Sequence, residues 1–325
     1  MGIDVSIIIP NFNGEKYIAN CINSLLAQCY NESLEIIVVD DCSSDKSLEI
    51  IKKFHQVKLI ENQENYGFAK SVNRGICASK GKFCLLLNND VVVEPEFVHL
   101  LYKHILKRRN AFSVSSKMVR YYERDKLDDT GDFYNIFGWA YKRGDGKDIE
   151  SYEESTQVFS TCAGAGIYRR SVLNEIGLFD ESFFAYLEDV DLSYRGLING
   201  YSNYYAPEAI CYHIGSATTA DGQKYSPFKV KISARNNVYL AYKNMPLLQL
   251  LLNSPFLMVG FLIKWARFSA GGYGKPYLEG VKEGFKNLNR VNKVKFRPKN
   301  LLNYLRIEGQ MIMNLPRQVL VKLGK

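Results

Sequence analysis

The stretch VSIIIPNFN, residues 5–13, decides the fold class of this chain of 325 residues. It is a short, β-branched run that stops at a proline and an asparagine, which is typical of a buried strand. Residues 36–41, IIVVDD, and residues 83–90, FCLLLNND, repeat the pattern. Apolar residues at helical spacing lie between these runs, first at residues 18–26. Strands joined by helical crossovers predict an α/β fold with a mostly parallel central sheet flanked by helices.

The composition excludes several classes of protein. Hydrophobic residues make up 46% of the chain and charged residues 23%, which is a globular balance and not that of a disordered or fibrous protein. The first residues have no basic stretch leading into an apolar run, so we expect no cleaved secretory signal. The seven scattered cysteines form no C-x-x-C pair, which argues against a zinc site and indicates reduced thiols in a cytosolic protein.

The positive charge of the chain is concentrated near its C-terminus. The net charge is +8, and residues 275–325 hold twelve Lys or Arg against three Glu. Composition alone makes nucleic acid and an anionic membrane surface equal candidates for the partner of such a tail.

An apolar segment, residues 247–265, precedes the basic tail. Polar residues and a proline interrupt it, and its unbroken part at residues 255–263 is nine residues long. A membrane-spanning helix needs about 20 residues. We therefore expect a core helix or a helix that lies on a membrane surface.

Residues 121–157 differ in hydrophobic pattern from the segments on either side. They are polar and poorly periodic, which predicts a long surface excursion. We expect regular structure to return at residue 158 and to continue to about residue 213.

Acids end two of the predicted strands, at Asp40-Asp41 and at Asn88-Asn89-Asp90. Ligands of parallel α/β sheets gather at the carboxyl ends of the strands. Asp40-Asp41 could equally cap the helix that follows, and Asp90 could form a turn or bind a hard cation. These readings stay open on the residues alone.

Residues 179–195 combine five acids and one arginine with aromatic residues at the start of a predicted helix. If the helix begins near Glu188, Asp191 and Arg195 are four residues apart and form a structural pair on one face. Glu188 or Asp189 then lies at the helix N-terminus, where a carboxylate is stabilised as the ion and suited to act as a base. The alternative is an acidic first turn on a surface helix.

Two smaller signals accompany these clusters. Residues 162–166, CAGAG, are small enough to let the backbone approach a ligand, but their spacing is not that of a dinucleotide-binding fingerprint. His213 follows a predicted strand, where it is either satisfied in place or a metal ligand.

Taken together, these segments resemble the family 2 glycosyltransferases, which have the nucleotide-sugar-binding GT-A fold. The resemblance runs from Val5 to about Thr219. It rests on segments in the family's order: residues 5–13, 38–45, 65–69 with Asn73, 86–90, 164–166, 179–181, 188–192 and His213. The later segments look most like the bacterial rhamnosyltransferase-like branch that builds surface polysaccharide.

The resemblance implies inverting transfer of a sugar from a nucleotide-diphosphate donor to an acceptor hydroxyl. Asp189 looks like the family's catalytic base, with Glu188, Asp191 and Arg195 in supporting positions. Asn88-Asn89-Asp90 looks like the family's D-x-D equivalent with its first Asp replaced by Asn88. The resemblance implies that Asp90 binds Mg²⁺ or Mn²⁺ and that His213 is a second ligand of the same ion. The implied donor-binding residues are Pro10, Asn11, Phe12, Asp40, Asn73, Asn89 and Gly164.

We expect a catalytic domain at residues 1–223 and a helical, basic region at residues 224–325. The apolar segment and the cations beyond it have the pattern of a peripheral anchor on an anionic leaflet, here the cytoplasmic face of the inner membrane. Such an anchor fits a lipid-linked saccharide acceptor, and we expect no nucleic-acid partner. The alternatives are that this region packs on the catalytic domain or forms a homodimer.

Two other functions compete on the same fold. A sugar nucleotidyltransferase would need a Gly-rich loop with basic residues directly after the first strand, where this chain has PNFNG at residues 10–14. A non-catalytic sugar-binding scaffold would not need Asp90, Asp189 and His213 together.

Overall fold

A computed structural model describes residues 2–30, 32–215 and 225–322 of the chain. The first third alternates strands with helices, as the sequence pattern predicts. Its elements are β1 (Val5–Asn11), α1 (Ile18–Leu26), β2 (Leu34–Asp40), α2 (Ser47–Ile51), β3 (Val57–Glu61), α3 (Phe68–Ala78), β4 (Phe83–Leu87), β5 (Val91–Val93) and α4 (Phe97–Leu106).

The second third completes the sheet and adds two helices near its end. Its elements are β6 (Ala111–Arg120), β7 (Leu127–Asp129), β8 (Asp132–Tyr134), β9 (Ala140–Lys142), β10 (Gln157–Val158), β11 (Ala165–Arg169), α5 (Arg170–Ile176), α6 (Glu188–Ile198) and β12 (Ser202–His213).

The main sheet has the strand order β10-β12-β6-β11-β4-β1-β2-β3, with β5 beside β12 and β7 beside β6. β1 pairs in parallel with both β2 and β4, which confirms the predicted parallel centre, while β11 is antiparallel to its two neighbours. In the parallel register Asn11 lies opposite Asp40. The polar residues that end these strands therefore meet at one edge of the sheet.

Alternating residues of β1 fill the cores on the two faces of the sheet. Ile7 and Ile9 are buried in the cluster that includes residues of α1 and α4. Ile8 is buried in a second cluster, with Val72 and Ile76 of α3. Burying a side chain of this size contributes about 1.5–3 kcal/mol, so the strand ends that carry the polar residues rest on a rigid support.

Residues 121–157 are a surface excursion only in part. Residues 121–126 and 145–157 are half-buried or exposed, as predicted, whereas residues 127–138 are mostly buried. The range contains β7, β8 and β9, and β7 pairs with β6 of the main sheet. Tyr134 and Asn135 are fully buried, and Asn135 Nδ2 donates to Gln318 Oε1 at 2.8 Å. Strands of three residues are too short to show a period, and buried polar groups with hydrogen-bond partners look exposed in a sequence.

Residues 225–322 form four helices, as predicted for the C-terminal region: α7 (Pro227–Asn244), α8 (Leu247–Ala270), α9 (Gly274–Lys286) and α10 (Leu301–Lys322). α7 packs closely on α9. Gly280 permits the approach, because a Cβ there would clash with the carbonyl oxygen of Lys231. The predicted domain boundary between residues 223 and 224 lies outside the described residues.

α8 is one continuous helix of 24 residues that runs through Pro255. The proline removes one backbone donor, yet the interruptions predicted to limit the apolar segment do not break the helix. By length and composition alone, α8 is the one helix among the described residues that could cross a membrane. Its buried residues are Asn253, Leu257 and Gly260, and most of its leucines are exposed. A broad apolar face of α8 is therefore unpacked within the described chain.

Candidate active site

The carboxyl ends of β1, β2 and β4 carry a connected set of polar side chains. Asn11 Nδ2 donates to Asp40 Oδ1 at 2.7 Å, and Asn89 Nδ2 donates to Asn11 Oδ1 at 2.7 Å. Asp40 also accepts hydrogen bonds from the backbone N–H and the hydroxyl of Ser43, at 3.0 and 2.7 Å. Asn11, Asp40 and Asn89 are all buried. Three of the predicted donor-binding residues thus form one fixed polar network at the sheet edge.

Three further predicted donor-binding residues lie around this network. Pro10 and Phe12 flank Asn11 and are half-buried. A Cβ at Gly164 would lie 3.0 Å from Asn88 Nδ2, so a larger residue there would crowd the Asn88 side chain. Asn88 N also donates to Gly164 O at 2.8 Å, which ties the loop after β4 to the residue before β11.

Asp90 and His213 face each other across the same edge. Pairing of β5 with β12 sets His213 opposite Val91, and His213 Nε2 lies 3.5 Å from Asp90 Oδ1. His213 Nδ1 lies 2.7 Å from Asp128 Oδ2, and Lys142 Nζ donates to both oxygens of Asp128, at 3.0 and 2.9 Å. Burial lowers the pKa of His213, but hydrogen bonds to Asp128 and Asp90 outweigh it and raise that pKa to about 9.

The side chains at this edge fit Mg²⁺ or Mn²⁺. An octahedral ion holds neighbouring ligand atoms about 3 Å apart, and Asp90 Oδ1 and His213 Nε2 are 3.5 Å apart. Asp90 Oδ2 accepts a hydrogen bond from Gly215 N at 3.2 Å, which leaves Oδ1 for the ion. Asn88 supplies no charge here, so donor phosphates and water would have to complete the ligand shell.

Asp189 lies in the first turn of α6, as predicted. Its Oδ2 accepts a hydrogen bond from Ala163 N at 3.3 Å and its Oδ1 one from Val190 N at 2.8 Å. Burial raises the pKa of Asp189, although these backbone N–H groups oppose the shift. Tyr186 and Leu187 just before the helix have φ of 70° and 68°. Such strain in residues other than glycine persists where the surroundings enforce it, and it is common at active sites.

The three acids and the arginine of α6 have different surroundings. Glu188 is buried, and its Oε2 is without a hydrogen-bond partner among the described residues. Burial, reinforced by the charge of Asp189, raises the pKa of Glu188 well above its usual range. Asp191 and Arg195 form the predicted pair, with Arg195 Nε 3.0 Å from Asp191 Oδ2. Lys243 of α7 donates to the same Asp191 oxygen at 2.8 Å, so this pair anchors α6 to α7.

The Asn73 side chain forms hydrogen bonds within the protein. Its Nδ2 donates to Phe179 O at 2.9 Å and to Glu181 Oε1 at 3.1 Å, and its Oδ1 accepts from Phe179 N at 3.0 Å. Both amide hydrogens are used inside the protein. Asn73 therefore links α3 to the loop before α6, and its role in donor binding stays a prediction.

Comparison with known proteins decides the family. Residues 6–177, more than half of the chain, match the model of glycosyl transferase family 2. The chain belongs to glycosyl transferase family 2. Over 134 residues it is 30% identical to glycosyltransferase GlyG of Streptococcus pneumoniae serotype 4, a stretch that covers 40% of this chain and 42% of GlyG. The chain thus spans less than half the length of that relative.

Solved structures share the fold of this family 2 glycosyl transferase at low identity. Staphylococcus aureus TarS 1–349 in complex with UDP-GlcNAc superposes with a TM-score of 0.58 at 18% identity, covering 95% of this chain and 89% of TarS 1–349. GalNAc-T7 with UDP, GalNAc and Mn²⁺ gives a TM-score of 0.59 at 18% identity, covering 72% of this chain and 47% of that one. These likenesses confirm the predicted GT-A fold.

A buried acid cluster of this family 2 glycosyl transferase was missed by the sequence analysis. Ligand atoms of Asp129, Asp132 and Cys162 lie within 4.8 Å of one another. Burial raises the pKa of Asp129 to about 7 against the charge of Lys142, and burial with the charge of Asp129 raises the pKa of Asp132 well above its usual range. Ala163, the neighbour of Cys162, donates its backbone N–H to Asp189, which links the cluster to the predicted base. The acid-rich DDTGD at residues 128–132 was the available signal.

The second feature that the sequence does not predict is a set of hydrogen bonds from α7 to the strained turn before α6. We call these hydrogen bonds the clamp. Asn236 Nδ2 lies 3.0, 2.8 and 2.7 Å from the carbonyl oxygens of Phe183, Ala185 and Tyr186. Arg235 Nη2 donates to Phe183 O at 2.8 Å. Nothing in the sequence connects these residues, because the clamp is 50 residues beyond the turn it holds.

Proposed function

We propose that the chain transfers a sugar from a nucleotide-diphosphate donor to a hydroxyl of a saccharide acceptor, with inversion at the anomeric carbon. The backbone at Ala163 and Gly164 carries the proposal. Ala163 N donates to Asp189 at 3.3 Å, and Gly164 O accepts from Asn88 N at 2.8 Å. Two adjacent residues thus join the proposed base to the loop that presents Asp90. A donor bound at Asp90 would therefore lie near a carboxylate.

The proposed chemistry is a direct displacement. Asp189 removes the proton of the acceptor hydroxyl as its oxygen attacks the anomeric carbon from the face opposite the leaving group. The new C–O bond forms while the bond to the diphosphate breaks, the proton stays on Asp189 and the nucleoside diphosphate departs. A carboxylate with a raised pKa is a stronger base than an ordinary one. A divalent cation at Asp90 and His213 would neutralise charge on the diphosphate.

For the donor we propose a nucleotide hexose, tested first as a uridine nucleotide of an N-acetylhexosamine. Of the two solved neighbours, TarS is in complex with UDP-GlcNAc, and GalNAc-T7 with UDP, GalNAc and Mn²⁺, which supports this order of testing. The rhamnosyl donor implied by the sequence resemblance stays a prediction. A lipid-linked saccharide as acceptor, and surface polysaccharide as product, belong to the same proposal.

The C-terminal helices support a peripheral membrane location. α8 and α10 are joined side by side, because Glu308 Oε2 accepts hydrogen bonds from both Gln249 and Asn253. Both helices expose large apolar side chains, which include Leu248, Leu251, Leu252, Leu302 and Leu305. Exposed cations lie between α9 and α10, or at the end of α9: Lys286, Arg290, Lys295, Arg297 and Lys299. We propose that this surface rests on the anionic cytoplasmic leaflet, where each cation contributes about 1 kcal/mol.

A product assay tests the proposed function. Incubation with a panel of nucleotide sugars, saccharide acceptors and Mn²⁺ should yield a glycosylated acceptor and free nucleoside diphosphate. A sugar nucleotidyltransferase would instead release pyrophosphate from a nucleoside triphosphate, and a scaffold would bind donor without turnover. Either of those results would overturn the proposal.

A further inference from the structure

Asp128 contacts Nδ1 of His213, the ring nitrogen that does not face Asp90. His213 Nδ1 lies 2.7 Å from Asp128 Oδ2, while His213 Nε2 faces Asp90 Oδ1 at 3.5 Å. We propose that Asp128 is a positioning residue that holds His213 in the tautomer and orientation in which Nε2 binds a divalent cation. The inference rests on the cation site of the proposed function, and it adds a residue that no motif assigned.

The hydrogen bond determines which ring nitrogen carries the proton. A carboxylate only accepts, so a neutral His213 must keep its hydrogen on Nδ1 to bond with Asp128. The lone pair of Nε2 then points toward Asp90, and the two atoms can share one ion. Histidines that bind metals usually donate their other N–H to a carboxylate or carbonyl, and removing that partner weakens metal binding.

The sheet brings Asp128 to this position. β6 pairs with β12 on one side and with β7 on the other, so β7 runs near the end of β12. His213 is the last residue of β12 and Asp128 the middle residue of β7. Lys142 of β9 then holds both oxygens of Asp128, at 2.9 and 3.0 Å. The order His213, Asp128, Lys142 is a hydrogen-bonded chain that leads away from the proposed cation.

The test measures Mn²⁺ binding by calorimetry, in the presence of saturating UDP and without acceptor. Asp128→Ala should weaken Mn²⁺ binding roughly 10–100-fold, whereas UDP binding without metal should not change. Asp145→Ala is the matched control, because Asp145 is an exposed acid of the same region that pairs only with Arg120 among the described residues. Mn²⁺ affinity of Asp128→Ala within twofold of the wild type would overturn the inference.

A second measurement does not depend on that variant folding. Nitrogen-15 NMR of the wild-type imidazoles in the Mg²⁺ and UDP complex should show His213 with a proton on Nδ1 and none on Nε2, with His213→Gln identifying the signal. A proton on Nε2 in that complex would overturn the inference. If wild-type protein with UDP binds neither ion, the proposed cation site fails and this inference with it. Loss of the Asp128 effect alone would leave the proposed function intact.

Discussion

The side chain of Asn236 holds the carbonyl oxygen of Tyr186 at 2.7 Å, and Tyr186 lies three residues before the proposed base. Asn236 is fully buried in α7, whereas Tyr186 belongs to the strained turn that starts α6. The position of Asp189 therefore depends on a helix of the C-terminal region. The C-terminal region therefore contributes to the candidate active site.

Asn236→Ala should slow sugar transfer, because Asn236 holds the turn that precedes Asp189. Removal of the buried amide leaves carbonyl groups without partners, which costs about 1–3 kcal/mol of stability, and frees the turn that orients Asp189. We expect kcat to fall by more than KM rises. Steady-state kinetics and urea unfolding measure both effects.

Asn237→Ala is the matched control for this prediction. Asn237 is the next residue and is also buried, and among the described residues it donates only to Ser233 O of its own helix, at 3.1 Å. Equal kcat values for the two variants would show that the clamp on the turn has no catalytic consequence.

The raised pKa of Asp189 predicts an acid limb in the pH profile. The base must be ionised, and burial moves the loss of its charge to a higher pH than for an exposed aspartate. The kcat at saturating donor should therefore be full at high pH and should fall as pH decreases through the raised pKa. A kcat that stays constant down to about pH 4, the usual pKa of aspartate, would contradict this assignment.

Asp90→Ala should make transfer insensitive to added Mn²⁺ or Mg²⁺ and weaken donor binding through the diphosphate. His213→Ala should show a milder form of the same defect, because a neutral imidazole supplies a ligand without charge. Titration of activity with metal measures both variants. Unchanged wild-type activity in excess EDTA would remove Asp90 and His213 from metal binding.

The exposed face of α8 predicts binding to anionic vesicles. Wild-type protein should sediment with phosphatidylglycerol liposomes, less so as salt is added, and should stay in solution with neutral ones. The double variant Leu251→Asp, Leu252→Asp should lose this binding without unfolding, because both side chains are exposed, at 61% and 65%. Tyr122→Asp changes an even more exposed aromatic residue elsewhere, at 77%, and this variant should bind as the wild type does. Equal recovery in solution with all liposomes would favour a dimer or protein-packing role.

The sequence predicts the parts of the fold that have a continuous apolar run or a helical spacing of residues. β1 and β4 are continuous apolar runs with polar ends, and the spacing of Asp191 and Arg195 on α6 is enough to predict their pair. Sequence patterns also place Asp40 and Asp90 near the ends of buried strands and Asp189 at the start of a helix.

The rest depends on contacts that no local pattern encodes. Asp128 is on a strand of three residues, too short for a period, and its partner His213 is 85 residues away. Asn73 is of a residue type that often binds ligands, but its amide nitrogen and oxygen form hydrogen bonds with Phe179 and Glu181 inside the protein. Pro255 is a helix breaker in isolation, yet α8 continues through it. For Asp128 and Asn73 the deciding contacts are with residues far away in the sequence.

Asp189→Asn tests whether Asp189 is the base of the proposed glycosyl transfer reaction. The amide keeps the shape of the side chain and removes its basicity, so the loss should appear in kcat and not in donor binding. The measurement is the single-turnover rate of transfer from a donor that the wild type uses, together with donor affinity by calorimetry. We predict a rate lowered by about 10²–10⁴-fold with donor affinity nearly unchanged. A rate within tenfold of the wild type would contradict the role of Asp189 as the base and point to Glu188 instead.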